Sequence, residues 1–94
     1  MPYKLSLTGI AEFDTEVMEY QEKVLFGFNE IQTEFNTIRV IFQSELAKKA
    51  YEQIKLGDKV KIEGDCHINQ AQSYDSAPFE FKEVFVQSFE LLSN

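Results

Sequence analysis

Cysteine and histidine carry the most catalytic and metal-binding potential, and the chain has one of each, the adjacent Cys66 and His67. Neighbouring residues of a β-strand point to opposite faces, so these two cannot form a nucleophile–base pair there. One cysteine and one histidine are too few for a disulfide or a structural zinc site. No phosphate-binding glycine loop or nucleophile-elbow motif occurs in the sequence. We therefore expect no catalysis, no metal and no cofactor, and we expect Cys66 to be a small core residue.

Acidic side chains are the largest charged group. The 94 residues include 16 Asp+Glu and 9 Lys+Arg, for a formal net charge of −7. Residues 11–22, AEFDTEVMEYQE, hold five of these acids but lack the glycine turn and the D-x-D spacing of a calcium loop. We expect an exposed acidic connection here.

Basic side chains are concentrated in the middle of the chain. Residues 35–64 hold six cations and four acids, whereas residues 1–34 and 65–94 have net charges of −5 and −4. Exposed charges are screened over about 8 Å at physiological salt, so local charge matters more than the total. The middle of the chain is therefore the basic part of an acidic protein.

Composition sets the broad class of the protein. A hydrophobic content of 44% is enough for one packed core and excludes a disordered acidic tail. We expect one domain over residues 1–94. No apolar run approaches the roughly 20 residues of a membrane span. The single cysteine and the absence of a visible secretory signal favour a reducing, cytoplasmic location.

Hydrophobic periodicity predicts five strands and one helix. Residues 44–56 place Leu46, Ala50 and Ile54 at every fourth position, which is typical of a helix, with Ser44 as its N-cap and a Glu45–Lys49 pair on its surface. Period-two alternation predicts the strands, and within strand 23–30 it places Val24, Phe26 and Phe28 inside, opposite Leu25, Gly27 and Asn29. The predicted strands cover 3–10, 23–30, 34–42, 59–68 and 79–92, with a polar loop at 69–78.

This order of elements predicts the fold. Five strands with one helix between the third and the fourth is the layout of an OB-fold, a five-stranded Greek-key barrel in an all-β class with small α content. The alternative for the same order is a sandwich-like α+β domain.

One block of sequence resembles the bacterial single-stranded DNA-binding protein (SSB) family and the related PriB-like primosomal OB-fold proteins. Its Leu-Ala, helix, Lys-x-Gly turn and Val-x-Ile-Glu-Gly strand are matched without a gap from Leu46 to Gly64. The strands Leu5–Gly9 and Glu83–Val86 are similar to the family's first and last strands. The resemblance implies binding of single-stranded DNA, or RNA, in replication or repair, and a homodimer or tetramer. The chain departs from the family in having no tryptophan, and Thr37 stands where the family commonly has an aromatic residue.

Binding a single strand without reading its sequence requires cations for phosphates and flat side chains for bases. In an OB-fold the binding groove crosses the second and third strands, and loops form its walls. Arg39 matches a family arginine and can meet a phosphate or stack on a base. The predicted single-stranded-DNA-binding residues are Lys23, Phe35, Thr37, Arg39, Lys59, Lys61 and Tyr74.

Each of these residues also has a structural alternative. Phe35 could be a core residue, Tyr74 could pack on the barrel rim, and Lys59 and Lys61 could lie on an ordinary solvated face. Arg39 could form a surface ion pair, which contributes little to stability. The acidic charge and the missing tryptophan keep a second function open, an OB-fold module that binds proteins and little or no DNA.

The last predicted strand, 79–92, is apolar on both faces, because phenylalanines share one parity and Val84 and Val86 share the other. A strand of a small barrel has one core face, so one set is left outside and would need a partner. We predict a homo-oligomer with an interface at Phe81, Phe85 and Phe89.

Overall fold

The computed structural model describes residues 3–71 and 79–92, with side chains described for 3–68 and 82–92. In chain order the elements are β1 (Tyr3–Ala11), β2 (Glu16–Tyr20), β3 (Lys23–Gln32), β4 (Thr37–Gln43), α1 (Ser44–Gln53), β5 (Lys59–Ala71) and β6 (Phe79–Leu91).

The strands form one sheet in the order β1-β5-β6-β4-β3-β2, and the sheet closes on itself because β1 also pairs with β3. Closure occurs at Ile10↔Gln32 and Ala11↔Ile31. A side chain at Gly9 would collide with the backbone carbonyl of Gln32, so a glycine allows β1 to cross β3 this closely. The pairing of β4 with β6 is parallel and the other pairings are antiparallel. The predicted all-β barrel is confirmed, with its helix between β4 and β5.

Helix α1 packs against the barrel through the predicted stripe. Ala47, Ala50 and Ile54 are fully buried. The helix begins after an N-cap at Gln43, without a side-chain cap bond, and ends at Gln53. The predicted cap at Ser44 is therefore wrong. The predicted Glu45–Lys49 pair is also wrong, because Glu45 pairs with Lys48 at 3.4 Å.

Strand β2 was not predicted, since residues 11–22 were expected to be a connection. Its side chains are exposed apart from a half-buried Val17, so the sequence has no alternating hydrophobic signal there. Backbone pairing to β3 holds it in place, from Glu16↔Phe28 to Tyr20↔Lys23. Among the described residues the barrel therefore has six strands, one more than predicted.

The inner face of β3 differs from the prediction. Gly27, Asn29 and Ile31 are buried, whereas Phe26 and Phe28 lie half-buried on the outer face. Asn29 is buried because its amide donates to the Phe13 carbonyl at 2.8 Å and the Thr15 hydroxyl at 3.0 Å. Val24 packs against the core, as predicted. The pairing of β2 with β3 shifts between Met18 and Glu19, and this irregularity changes which residues of β3 point inward.

Within the described ranges, no helix is long and apolar enough to cross a membrane. The same ranges contain no group of three His, Cys, Asp or Glu side chains placed to hold a metal ion.

Candidate nucleic-acid interface

The outer surface of β3, β4, β6 and β5 is organised in rows of cross-strand neighbours. Strand register places Glu30 beside Arg39, Arg39 beside Glu83, and Glu83 beside His67. Neighbouring strands lie about 4.8 Å apart, so these four side chains form one polar row across the sheet, with Arg39 between two glutamates.

Arg39 lies in the middle of this row with its side chain 52% exposed. Its guanidinium is 3.6 Å from a carboxylate oxygen of Glu30, the surface ion pair that was the alternative for this residue. An exposed pair of this kind contributes about 0–1 kcal/mol. A phosphate can therefore compete with Glu30 for the guanidinium at small cost.

Phe35 lies in the loop 33–36 between β3 and β4, and it is 90% exposed. The loop is closed by Thr33, whose backbone N–H donates to the Asn36 carbonyl at 2.7 Å. The Thr33 hydroxyl also accepts backbone N–H bonds from Phe35 and Asn36, both at 3.2 Å. The alternative that Phe35 is a core residue is wrong, and its ring is presented to solvent from a hydrogen-bonded loop.

Lys59 lies on the other side of this loop. A cleft of about 830 Å³ is lined by β1 residues 6–10, by Gln32 and the loop 33–36, and by Ile38 and Lys59. Phe35 and Lys59 therefore face the same cleft, and Glu34 is the acid that lines it with them. The sequence separates Phe35 and Lys59 by a strand and a helix, and barrel closure brings them together.

Thr37 and Lys61 lie close to this group. Thr37 is exposed opposite Gln32, one row from Arg39 and next to the loop. Lys61 lies two residues beyond Lys59 on the outer side of β5, with its ammonium 3.9 Å from Glu63. We name Phe35, Thr37, Arg39, Lys59 and Lys61 the loop-end surface.

Two predicted residues are not part of it. Lys23 begins β3, and a strand of ten residues spans about 30 Å, so Lys23 lies at the opposite end from the loop 33–36. Tyr74 lies outside the described residues.

Comparison with solved structures identifies the fold. The chain is similar to the small single-stranded DNA-binding protein from Streptomyces coelicolor, with a TM-score of 0.82 and 10% identity over 97% of this chain and 94% of that one. It is also similar to the Plasmodium falciparum SSB solved in complex with single-stranded DNA, with a TM-score of 0.75 and 12% identity over 96% and 94% of the two chains. The chain has an SSB-type OB-fold. No protein-family model matches the sequence, and no curated protein matches it significantly.

The oligonucleotide-binding face of an OB-fold corresponds here to the outer side of β3 and β4. A second row lies on this face, in which Phe28 lies beside Ile41, and Ile41 beside Phe85. The Phe28 ring packs edge-on against Phe13, with 6.0 Å between centroids, and Phe85 packs against His67 at 4.7 Å. Strand parity with Arg39 predicts the outward position of Ile41. Sequence reasoning missed Phe28, because it placed the inner face of β3 on the wrong side.

The predicted oligomer residues do not share one face. The β5–β6 register shifts between Glu63 and Gly64, so Phe85 points outward while Phe89 packs on the core. The Phe89 ring contacts Phe42 edge-on at 5.7 Å. Placing Phe85 and Phe89 on one exposed face is therefore wrong, and the side chain of Phe81 lies outside the description. Self-association stays a prediction, and these three residues no longer define one interface for it.

Cys66 and His67 do point to opposite sides of the OB-fold barrel. Cys66 is fully buried in the core, as predicted. A side-chain hydrogen bond with its thiol, assisted by desolvation, raises the pKa of Tyr3 above the ordinary value of 10.0. His67 lies on the outer face against Phe85 and cannot reach the thiol side of the strand.

Proposed function

We propose that this OB-fold protein binds single-stranded DNA without reading its sequence, in replication or repair, and that the strand crosses the loop-end surface. The observation that carries the proposal is the ring of Phe35, 90% exposed at the tip of an ordered loop and facing the same cleft as Lys59. A base can stack on this ring, and base–aromatic stacking is tolerant of sequence because every base has a π-face.

The cations of the loop-end surface lie on both sides of that ring. Arg39 is on the β4 side, and Lys59 and Lys61 are on the β5 side. A strand stacked on Phe35 would pass its phosphates near both. The residues are placed for backbone and ring contacts, which give no base discrimination of their own.

The net charge of −7 does not prevent this binding, because much of the acidity lies elsewhere. The acids of β2, Glu16 and Glu19, lie opposite Phe28 and Val24 of β3, away from the loop 33–36. Glu30 and Glu34 are close to the surface and reduce its affinity. We therefore expect binding that is weak at physiological salt and clear at low salt.

Similarity of fold supports the same function. The Plasmodium falciparum structure contains single-stranded DNA, and the Streptomyces coelicolor protein is named for binding it. At 10–12% identity these structures share the fold with this chain, and the binding residues proposed here come from its own surface.

The test is a fluorescence anisotropy titration with labelled oligo-dT at low salt. Oligo-dA, a mixed-sequence strand and oligo-U should bind with comparable strength, and duplex DNA should bind more weakly. Absence of binding to every single strand at low salt would refute the proposal. Binding that does not weaken with added salt would show that phosphate contacts are not involved.

A further inference from the structure

The outer face has an apolar centre at some distance from the loop 33–36. Phe28, Ile41 and Phe85 are neighbours on three adjacent strands, and all three are half-buried. Phe13 and His67 extend this centre through edge-on ring contacts. Partly exposed aromatic and aliphatic side chains in a continuous row are typical of a binding surface.

Carboxylates surround this centre. Glu16 lies beside Phe28 at one end of the row and Asp65 beside Phe85 at the other. Glu30 and Glu83 belong to the adjacent row. We name these four acids, together with Phe28, Ile41 and Phe85, the acid-rimmed face.

Among the described side chains, two cations adjoin the acid-rimmed face, and each already has a partner within the protein. Arg39 is paired with Glu30 at 3.6 Å. Lys4, which lies beside Asp65 on β1, donates to the side-chain oxygen of Gln87 at 3.5 Å. Among the described side chains, four acids against two cations give this part of the surface a formal charge of −2.

The face also contains a depression suited to a cationic side chain. It has a volume of about 520 Å³ and is lined by Gln43, Asp65, His67, Glu83 and Phe85. One oxygen of Asp65 accepts a hydrogen bond from Gln87 at 2.9 Å, which fixes the carboxylate. A guanidinium or ammonium group placed here would meet two carboxylates and the Phe85 ring, which favours a cation above its face.

We propose that the acid-rimmed face is a docking site for a basic protein segment, in which large apolar side chains sit on Phe28, Ile41 and Phe85 while lysine or arginine side chains meet the surrounding carboxylates. The argument is charge complementarity around an apolar centre. Arg39 and its partner Glu30 lie where this face meets the loop-end surface, to which DNA binding is assigned above.

Two other occupants are less compatible with these charges. A nucleic acid would bring phosphates against four carboxylates, at a cost that rises as salt is lowered. A second copy docked symmetrically on this face would bring together two surfaces of the same negative charge. A basic segment satisfies the apolar centre and the acids at once.

The experiment uses the full chain and a fluorescein-labelled peptide, Gly-Lys-Leu-Arg-Leu-Lys-Gly, followed by anisotropy. The test variant is Asp65→Asn with Glu83→Gln, and the matched control is Glu52→Gln with Glu90→Gln, which removes the same charge from exposed positions on α1 and late β6. We expect the test variant to weaken peptide binding about tenfold and the control to change it less than about twofold, because local pairs act over short distances. A peptide with serine in place of leucine should bind much more weakly.

Other measurements distinguish the occupants. Peptide titration of ¹⁵N-labelled protein should shift the amides of Phe85 and His67, and the test variant should bind oligo-dT no more weakly than the wild type. Equal peptide losses in test and control variants would show general attraction to an acidic protein and overturn the proposal. It would also be overturned if oligo-dT shifted these amides instead, or if light scattering showed an oligomer that Phe85→Ser dissociates.

Discussion

Replacing Phe35 with alanine isolates base stacking from folding. The ring is 90% exposed, so about 20 Å² of a side chain of about 200 Å² is buried, which is worth roughly 0.5 kcal/mol. The melting temperature should therefore fall by no more than about 4 °C. Stacking of a base on an aromatic ring is worth about 1–3 kcal/mol, so the Kd for oligo-dT should rise about 5- to 150-fold.

The assay is anisotropy of labelled oligo-dT at fixed low salt, beside thermal unfolding of the same samples. Tyr51→Ala is the control, because Tyr51 is a half-exposed ring on α1, outside the loop-end surface. Its removal should leave the Kd within about twofold, as expected for an exposed ring that no base reaches. A Phe35→Ala protein that binds as tightly as the wild type would refute the stacking argument. Equal losses in both variants would show that the effect does not belong to this loop.

Further predictions concern charge and packing. If three cations contact phosphates, the logarithm of the association constant for oligo-dT should fall against the logarithm of the salt concentration with a slope of about −2. Lys59→Gln or Arg39→Gln should each bring this slope to about −1.4. The control Lys23→Gln should leave it unchanged in the same salt titrations. Asn29→Ala should lower the free energy of unfolding in urea by about 1–3 kcal/mol, since the Phe13 carbonyl and the Thr15 hydroxyl both lose the hydrogen bond that the Asn29 amide donates. An unchanged urea midpoint would contradict the role of this network. Gly64→Ala should destabilise the protein by about 1–3 kcal/mol, because the added methyl group would collide with a backbone carbonyl of β6. A stability equal to that of the wild type would show that β5 and β6 can move apart at no cost.

The fold could be predicted where one face of an element is apolar and the other polar. Leu46, Ala50 and Ile54 recur at every fourth residue, and Ala47 lies beside them on the same stripe, a pattern that is typical of a helix and that gave α1 its position. Strand β2 had no such signal, since backbone bonds to β3 hold a nearly fully exposed segment. The inner face of β3 was inverted because a buried asparagine is polar in the sequence, and its hydrogen bonds to Phe13 and Thr15 exist only after folding.

The sequence could predict which types of residue belong to the candidate site, but it could not predict how they are arranged on the surface. Arg39 was placed correctly because its position in β4 follows from strand parity. The exposure of Phe35 depends on a loop closed by Thr33 and Asn36, and its nearness to Lys59 depends on barrel closure. The shift at Glu63/Gly64 separated Phe85 from Phe89, and parity counted along a continuous strand cannot anticipate such a shift.

Charge is what divides the outer surface into two parts. Along β4, Arg39 lies next to the loop 33–36 with its exposed ring, whereas Ile41 lies two residues further on, among aromatic side chains that Glu16 and Asp65 flank. A polyanion gains from the first part and is repelled by the second, while a basic segment has the opposite preference. Neutralising Asp65 and Glu83 should therefore move the two affinities in opposite directions, strengthening oligo-dT binding and weakening peptide binding. A variant that lowered both would show that the two partners share one site.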